Sequence, residues 1–181
     1  MQSLLHELDS LQPEREVAEP PPVSPPPGAA RRVKTAVAAE RLHALHEALL
    51  RLPEDFAVNP KLERVIQRKR LSLAQEDQAT IDWGLAETLA FASILEEGIP
   101  IRLTGEDVAR GTFGQRHVVF HDMKTGRTFT PLQALPQAKA AFAVFNSPLT
   151  ENATVGFEYG YNVQEPGRLT MWEAQYGDFV N

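Results

Sequence analysis

The chain has 181 residues, 43% of them hydrophobic, with a formal net charge of −6 and a pI near 5.4. That is enough apolar content to build a core, while the acidic balance gives no reason to expect nucleic acid or an anionic membrane as a partner. The absence of cysteine removes disulfide frameworks, cysteine-ligated zinc and thiol nucleophiles and fits a reducing cytoplasm; no leader pattern opens the chain, and no apolar run approaches the roughly 18 residues of a membrane span.

Residues 1–34 hold seven of the 14 prolines, including Pro20–Pro22 and Pro25–Pro27. Such a stretch buries too little apolar surface to offset its ordering entropy, which predicts a disordered tail. Leu4, Leu5, Leu8 and Leu11 could form one amphipathic turn, with an unstructured end the favoured reading. From Ala38 to Leu52, apolar residues at 42, 45, 49 and 52 mark one helix face, and Pro53 ends it. His43 and His46 lie in that helix without a third ligand nearby, so they read as surface or flank histidines.

Asn59-Pro60 is a start signal for a helix to about Ser72, whose Lys61, Arg64, Arg68, Lys69 and Arg70 read as a solvated face. Asp82 caps a third helix to Glu97, stopped by Gly98; its broad apolar side, Trp83 included, is expected to be buried. Ile99–Leu103 then reads as a short strand before a Thr104-Gly105 turn, and Val118–His121 as a strand or extended loop. Asp122–Arg127 carries a turn with Gly126, and Lys139–Phe145 ends as a strand. Ser147-Pro148 opens a fourth helix to about Asn162, and after the Pro166-Gly167 turn Leu169–Trp172 enters a last strand. Helices feeding short apolar strands are α/β grammar.

Chemistry-bearing side chains concentrate towards the end of the chain. Glu151 falls near the first turn of the fourth helix, where a carboxylate serves either the helix dipole or acid/base chemistry. Gly156 and Gly160 share one face, and glycines that weaken a helix suggest close approach to another backbone. Trp172, Tyr176 and Phe179, interleaved with carboxylates, offer either a packed strand end or a stacking surface for a flat ring. Upstream, Arg110, Arg116, His117 and His121 either bind a dicarboxylate or pair with Glu106 or Asp107. No metal site is read from His117 and His121.

Three stretches carry a family resemblance: GEDVARGTFGQRHVVFHD (105–122), NSPLTENATVGFEYGY (146–161) and WEAQYGDFVN (172–181). VKTAV (33–37) and LPEDFAVNPKLERVIQRK (52–69) fit in the same order. From about Arg32 onward the chain resembles the thiamine-diphosphate-dependent decarboxylating component of the 2-oxoglutarate dehydrogenase complex. The resemblance implies an α/β fold: the first part of a thiamine-diphosphate-binding pyrimidine domain, with parallel strands and flanking helices. The expected layout is a Pro-rich tail (1–34), a connector of two helices (35–78) and an incomplete pyrimidine domain (79–181).

The resemblance also implies roles. The family's Leu-Ser-Glu falls on Leu149-Thr150-Glu151, which makes Glu151 the carboxylate on the pyrimidine nitrogen and a catalytic residue. Phe179 takes the place of the ring that stacks on the pyrimidine, and Tyr176 stands where the family more often has phenylalanine. Glu158 and Glu173 are rivals to Glu151, and Glu158 reads as structural. The family's Gly-Asp-Gly signature for magnesium and diphosphate is absent from the sequence, so the magnesium ligands are expected outside this chain. The expected partners are a second copy and the dihydrolipoyl succinyltransferase component, with no nucleic acid or membrane, in the cytoplasm. A chain stopping at Asn181 is expected to be inactive alone and to bind the cofactor weakly or not at all. A 2-oxoadipate-type relative and a non-catalytic interaction piece are the alternatives.

Overall fold

The structure, a computed structural model, describes residues 26–73 and 81–175. The expectations for the proline-rich segment before residue 26 and for Tyr176 and Phe179 lie outside the described residues. The chain divides into Met1–Val33 and Lys34–Asn181. In the first unit the described part contains one 3-10 turn, Ala29–Arg32.

The second unit begins with α1, Ala39–Leu49. It stops short of the expected Leu52, which precedes Pro53 and is therefore disfavoured in the helical region. His46 is not a surface residue: it shares the inward stripe of Leu45 and Leu49 and is 4% exposed. Burial, with His43 and Lys69 nearby, pushes its pKa down, so it is neutral at pH 7.

α2, Pro60–Ser72, starts where expected, with Asn59 Oδ1 accepting from the Lys61 N–H at 2.9 Å. α3, Trp83–Glu96, is capped by Asp82, whose Oδ1 accepts from Leu85 N–H at 2.7 Å. Gly98 closes it at φ +91°, a conformation that costs glycine least. Trp83 departs from expectation. It occupies the first helical position, off the Leu85–Leu89–Ala92 stripe, and is 92% exposed.

Three parallel strands form the sheet: β1 (Ile101–Gly105), β4 (Phe142–Asn146) and β5 (Leu169–Glu173), in the order β4-β1-β5. Thr104 and Gly105 are strand residues rather than a turn. Gly105 is demanded by packing, since a Cβ there would lie 2.4 Å from the Glu173 carbonyl oxygen and 2.6 Å from Val108 Cγ1. β2 (Phe120–His121) and β3 (Thr128–Phe129) make a small antiparallel hairpin within the β1–β4 connection. α4 (Glu151–Gln164) links β4 to β5.

The core joins Leu45 and Leu49 of α1 with Leu85, Leu89 and Leu95 of α3 and Ile101, Leu103 and Phe142 of the sheet. Each such side chain contributes roughly 1.5–3 kcal/mol by leaving water. A smaller cluster of Phe56, Ile66 and Phe120 ties the hairpin to α2. Beside it, buried Asp122 accepts from the N–H groups of Ala57 (2.9 Å), Lys124 (2.8 Å) and Thr125 (2.9 Å). These hold its pKa down at about 2. No described helix is long and apolar enough to cross a membrane.

Candidate functional site

In a parallel sheet flanked by helices, ligands bind beyond the carboxyl ends of the strands. Here those ends are in line, with Gly105 opposite both Asn146 and Glu173. Residues 147–150 leave β4 at this edge and α4 begins at Glu151. The helix cap is Thr150 rather than the expected Ser147, whose hydroxyl instead lies 3.2 Å from Thr154 Oγ1 and accepts from Leu149 N–H at 3.2 Å. Glu151 is therefore the first helical residue, placed against the strand ends. It is half-buried, and its Oε1 accepts from the backbone N–H of Gln175, just past β5, at 3.3 Å.

The rivals have other partners. Glu158 is 4% exposed and bound to Arg102 of β1. Glu173 is bound to Arg116. Gly156 and Gly160 are exposed, with nothing within 4 Å of where a Cβ would be. Among the described residues, then, no backbone approaches them, and the glycine face of α4 is open.

The segment 105–122 folds into two environments. Arg110, His117 and His121 line a cleft of about 530 Å³ beside the strand ends, together with Lys61, Asp107 and Asn146. Lys61 was not singled out for chemistry by its sequence context; the Asn59-Pro60 cap, which fixes its place at the start of α2, is the signal that could have found it. Arg110 is held by Asp107, with Nε 2.9 Å from Oδ2. His117 adopts φ +50°, uncommon for a non-glycine residue. Burial, with Lys69 and Arg110 nearby, pushes its pKa down, so it faces the cleft as a neutral imidazole at pH 7.

Arg116 stands apart from these three. It is 2% exposed and all five of its N–H donors are used. Nε and Nη2 donate to Glu87 (2.7 and 2.8 Å), Nη1 to the Val108 carbonyl (3.1 Å) and Glu173 Oε1 (3.0 Å), and Nη2 also to Glu173 Oε2. Burial works against its charge, but the two carboxylates more than offset that and raise its pKa. No N–H is left for a substrate carboxylate. Among the described residues no group of three or more His, Asp or Glu side chains could hold a metal ion.

This arrangement has relatives. Residues 79–181 match the family described as "Transketolase, pyrimidine binding domain". The chain is also 55% identical over 149 residues to the 2-oxoglutarate dehydrogenase E1 component of Geobacillus kaustophilus (strain HTA426), covering 82% of this chain and 16% of the relative. Identity is 55% over 149 residues to that of Bacillus mycoides (strain KBAB4), covering 82% and 15%. It is 55% over 150 residues to that of Shouchella clausii (strain KSM-K16), covering 83% and 16%. The chain belongs to the 2-oxoglutarate dehydrogenase E1 family and carries its transketolase-type pyrimidine-binding domain, a class that binds thiamine diphosphate. It spans about 15–16% of the length of these relatives.

The residues present fit that cofactor's aminopyrimidine. The carboxylate of Glu151 sits at the strand ends with one oxygen on a backbone N–H, and no hydrogen bond occupies its other oxygen among the described residues. A ring nitrogen that shares a proton needs such an acceptor.

Proposed function

We propose that this chain supplies the pyrimidine side of the thiamine diphosphate site in a 2-oxoglutarate dehydrogenase E1 enzyme. That enzyme decarboxylates 2-oxoglutarate and passes the succinyl group to a lipoyl carrier. The observation that carries the reading is the position of Glu151: the first residue of α4, at the carboxyl edge of the parallel sheet, fixed by Gln175 N–H. Thiamine diphosphate, when bound, supplies the electron sink for decarboxylation. Glu151 would hold a shared proton at the pyrimidine ring nitrogen. Phe179, outside the described residues, would offer the stacking face.

Arg110, His117 and His121 line the cleft beside this edge, which suits a dicarboxylate substrate; Lys61 adds a fourth basic side chain. Magnesium and the diphosphate would be held by residues outside these 181. A second copy of the chain, a dihydrolipoyl succinyltransferase partner and a cytoplasmic setting complete the reading. The 181 residues alone should be inactive and bind the cofactor weakly. A 2-oxoadipate-type relative is the alternative reading, and the test below is run on both substrates.

The test is Glu151→Gln in the whole enzyme, with carbon dioxide release measured from 2-oxoglutarate and from 2-oxoadipate. Loss of release with the fold intact supports the assignment; near-normal turnover refutes it. The wild-type ratio between the two substrates decides which one the enzyme uses.

A further inference from the structure

Glu151 has one protein hydrogen bond among the described residues, and its donor is a backbone N–H that no secondary structure holds. Gln175 lies two residues beyond the last residue of β5. A donor in such a place drifts unless the strand end beside it is pinned. The residue that ends β5 is Glu173, and its carboxylate is gripped at both oxygens by Arg116. Arg116 is held in place by its own burial and by the Val108 carbonyl, and on its far side it also binds Glu87 of α3. The strand end is pinned from the other side as well: the Glu173 carbonyl fits against Gly105 so closely that a Cβ there would lie 2.4 Å away.

We infer that Arg116 is a positioning residue for the cofactor-facing carboxylate: through Glu173 it sets the exit of β5, and thereby the Gln175 N–H that aims Glu151. This rests on the assignment of Glu151 proposed above. It also accounts for two carboxylates gathered on one buried guanidinium. A single carboxylate would balance the charge. Two on opposite sides join α3 to β5 through a planar, five-donor head group that lysine could not imitate.

The two acids provide the test, because Glu87→Gln and Glu173→Gln make the same electrostatic change on either side of one arginine. Each variant leaves Arg116 with one carboxylate, so neither strands a buried charge and both should fold. A cluster that serves stability alone responds to both variants alike. A positioning cluster responds unequally, because only Glu173 touches the strand that reaches Glu151.

In the whole enzyme, Glu173→Gln is expected to raise the thiamine diphosphate concentration needed for half-activation by about tenfold or more and to lower kcat, since small misplacements of a reacting group are costly. The KM for the 2-oxo acid should stay within about twofold, as expected when substrate-binding contacts are untouched. Glu87→Gln should lower the thermal midpoint comparably and leave the half-activation concentration near the wild-type value. Equal effects of both variants on half-activation, or none from Glu173→Gln, would overturn the inference. Glu151→Gln measured beside them separates the two claims: an active Glu151→Gln enzyme sinks the catalytic assignment itself, whereas an inactive one with matched Glu87 and Glu173 variants sinks only the positioning role.

Discussion

Arg102 of the central strand grips Glu158 of α4 through two hydrogen bonds of 2.7 and 2.9 Å, and Phe145, Phe157 and Tyr161 close around the guanidinium at 4.5, 5.4 and 4.5 Å. The helix that begins with Glu151 is thus anchored to the sheet two turns further along. Removing one partner of a buried pair leaves the other charge without compensation, at a cost of about 3–5 kcal/mol. Glu158→Ala should therefore lower unfolding free energy by about 3 kcal/mol in urea titrations. Arg102→Met in the same chain should recover most of that loss. A single variant as stable as wild type would show that the aromatic cage alone holds the helix.

Gly105 separates two readings of the β1 end. As a turn residue it would tolerate alanine; as a strand residue under the Glu173 carbonyl it cannot. Gly105→Ala should cost about 1–3 kcal/mol, the usual range for overpacking a tight site, and lower the thermal midpoint. An unchanged midpoint would mean that the strands separate without strain.

Asp122 sets a pH dependence. Its folded pKa of about 2 lies below its ordinary value of 3.8, chiefly because the Ala57 and Thr125 N–H groups favour the carboxylate. A depressed carboxylate stabilises the fold above the unfolded pKa and ceases to as pH falls through the folded one. The stability advantage of wild type over Asp122→Asn should thus be full at pH 5, shrink between about pH 4 and pH 2, and be lost below that. Urea midpoints of the two proteins across that range check it; a constant difference would assign the effect elsewhere.

The cleft makes a kinetic prediction for the whole enzyme. Arg110→Met or His121→Ala should raise the KM for the dicarboxylate by about tenfold with a smaller change in kcat, the pattern of lost ground-state binding. A 2-oxo monocarboxylate should show no such rise. Equal effects on both substrates would remove the cleft from substrate recognition.

Local signals were legible in the sequence. Asn59-Pro60 and Asp82 start their helices as read, because a cap is a contact between residues two or three apart. The α/β class followed from the order of helices and apolar runs, whereas the parallel strands were implied by the family resemblance. What stayed hidden were distant partners: Glu158 with Arg102 across 56 residues, Arg116 with Glu173 across 57. Gly105 looked like a turn because Thr-Gly usually is one, and only the neighbouring strand shows why glycine is there. The same holds for Trp83, whose apolar ring says nothing of which way the first helical turn faces. Glu151 was singled out by its motif more than by its spacing, and its Gln175 partner is a backbone group that no side-chain pattern can announce.

Arg116 also bears on how the chain folds. Its carboxylate partners lie 29 residues before it and 57 after it, so the triad cannot form until α3, the long β1–β4 connection and β5 have all arrived. Contacts that close such wide loops form late. The triad should therefore act as a latch on the finished fold: weakening it should speed unfolding and leave refolding nearly unchanged, which stopped-flow rates of Glu87→Gln against wild type would show. A slower refolding rate would instead place it in the nucleus.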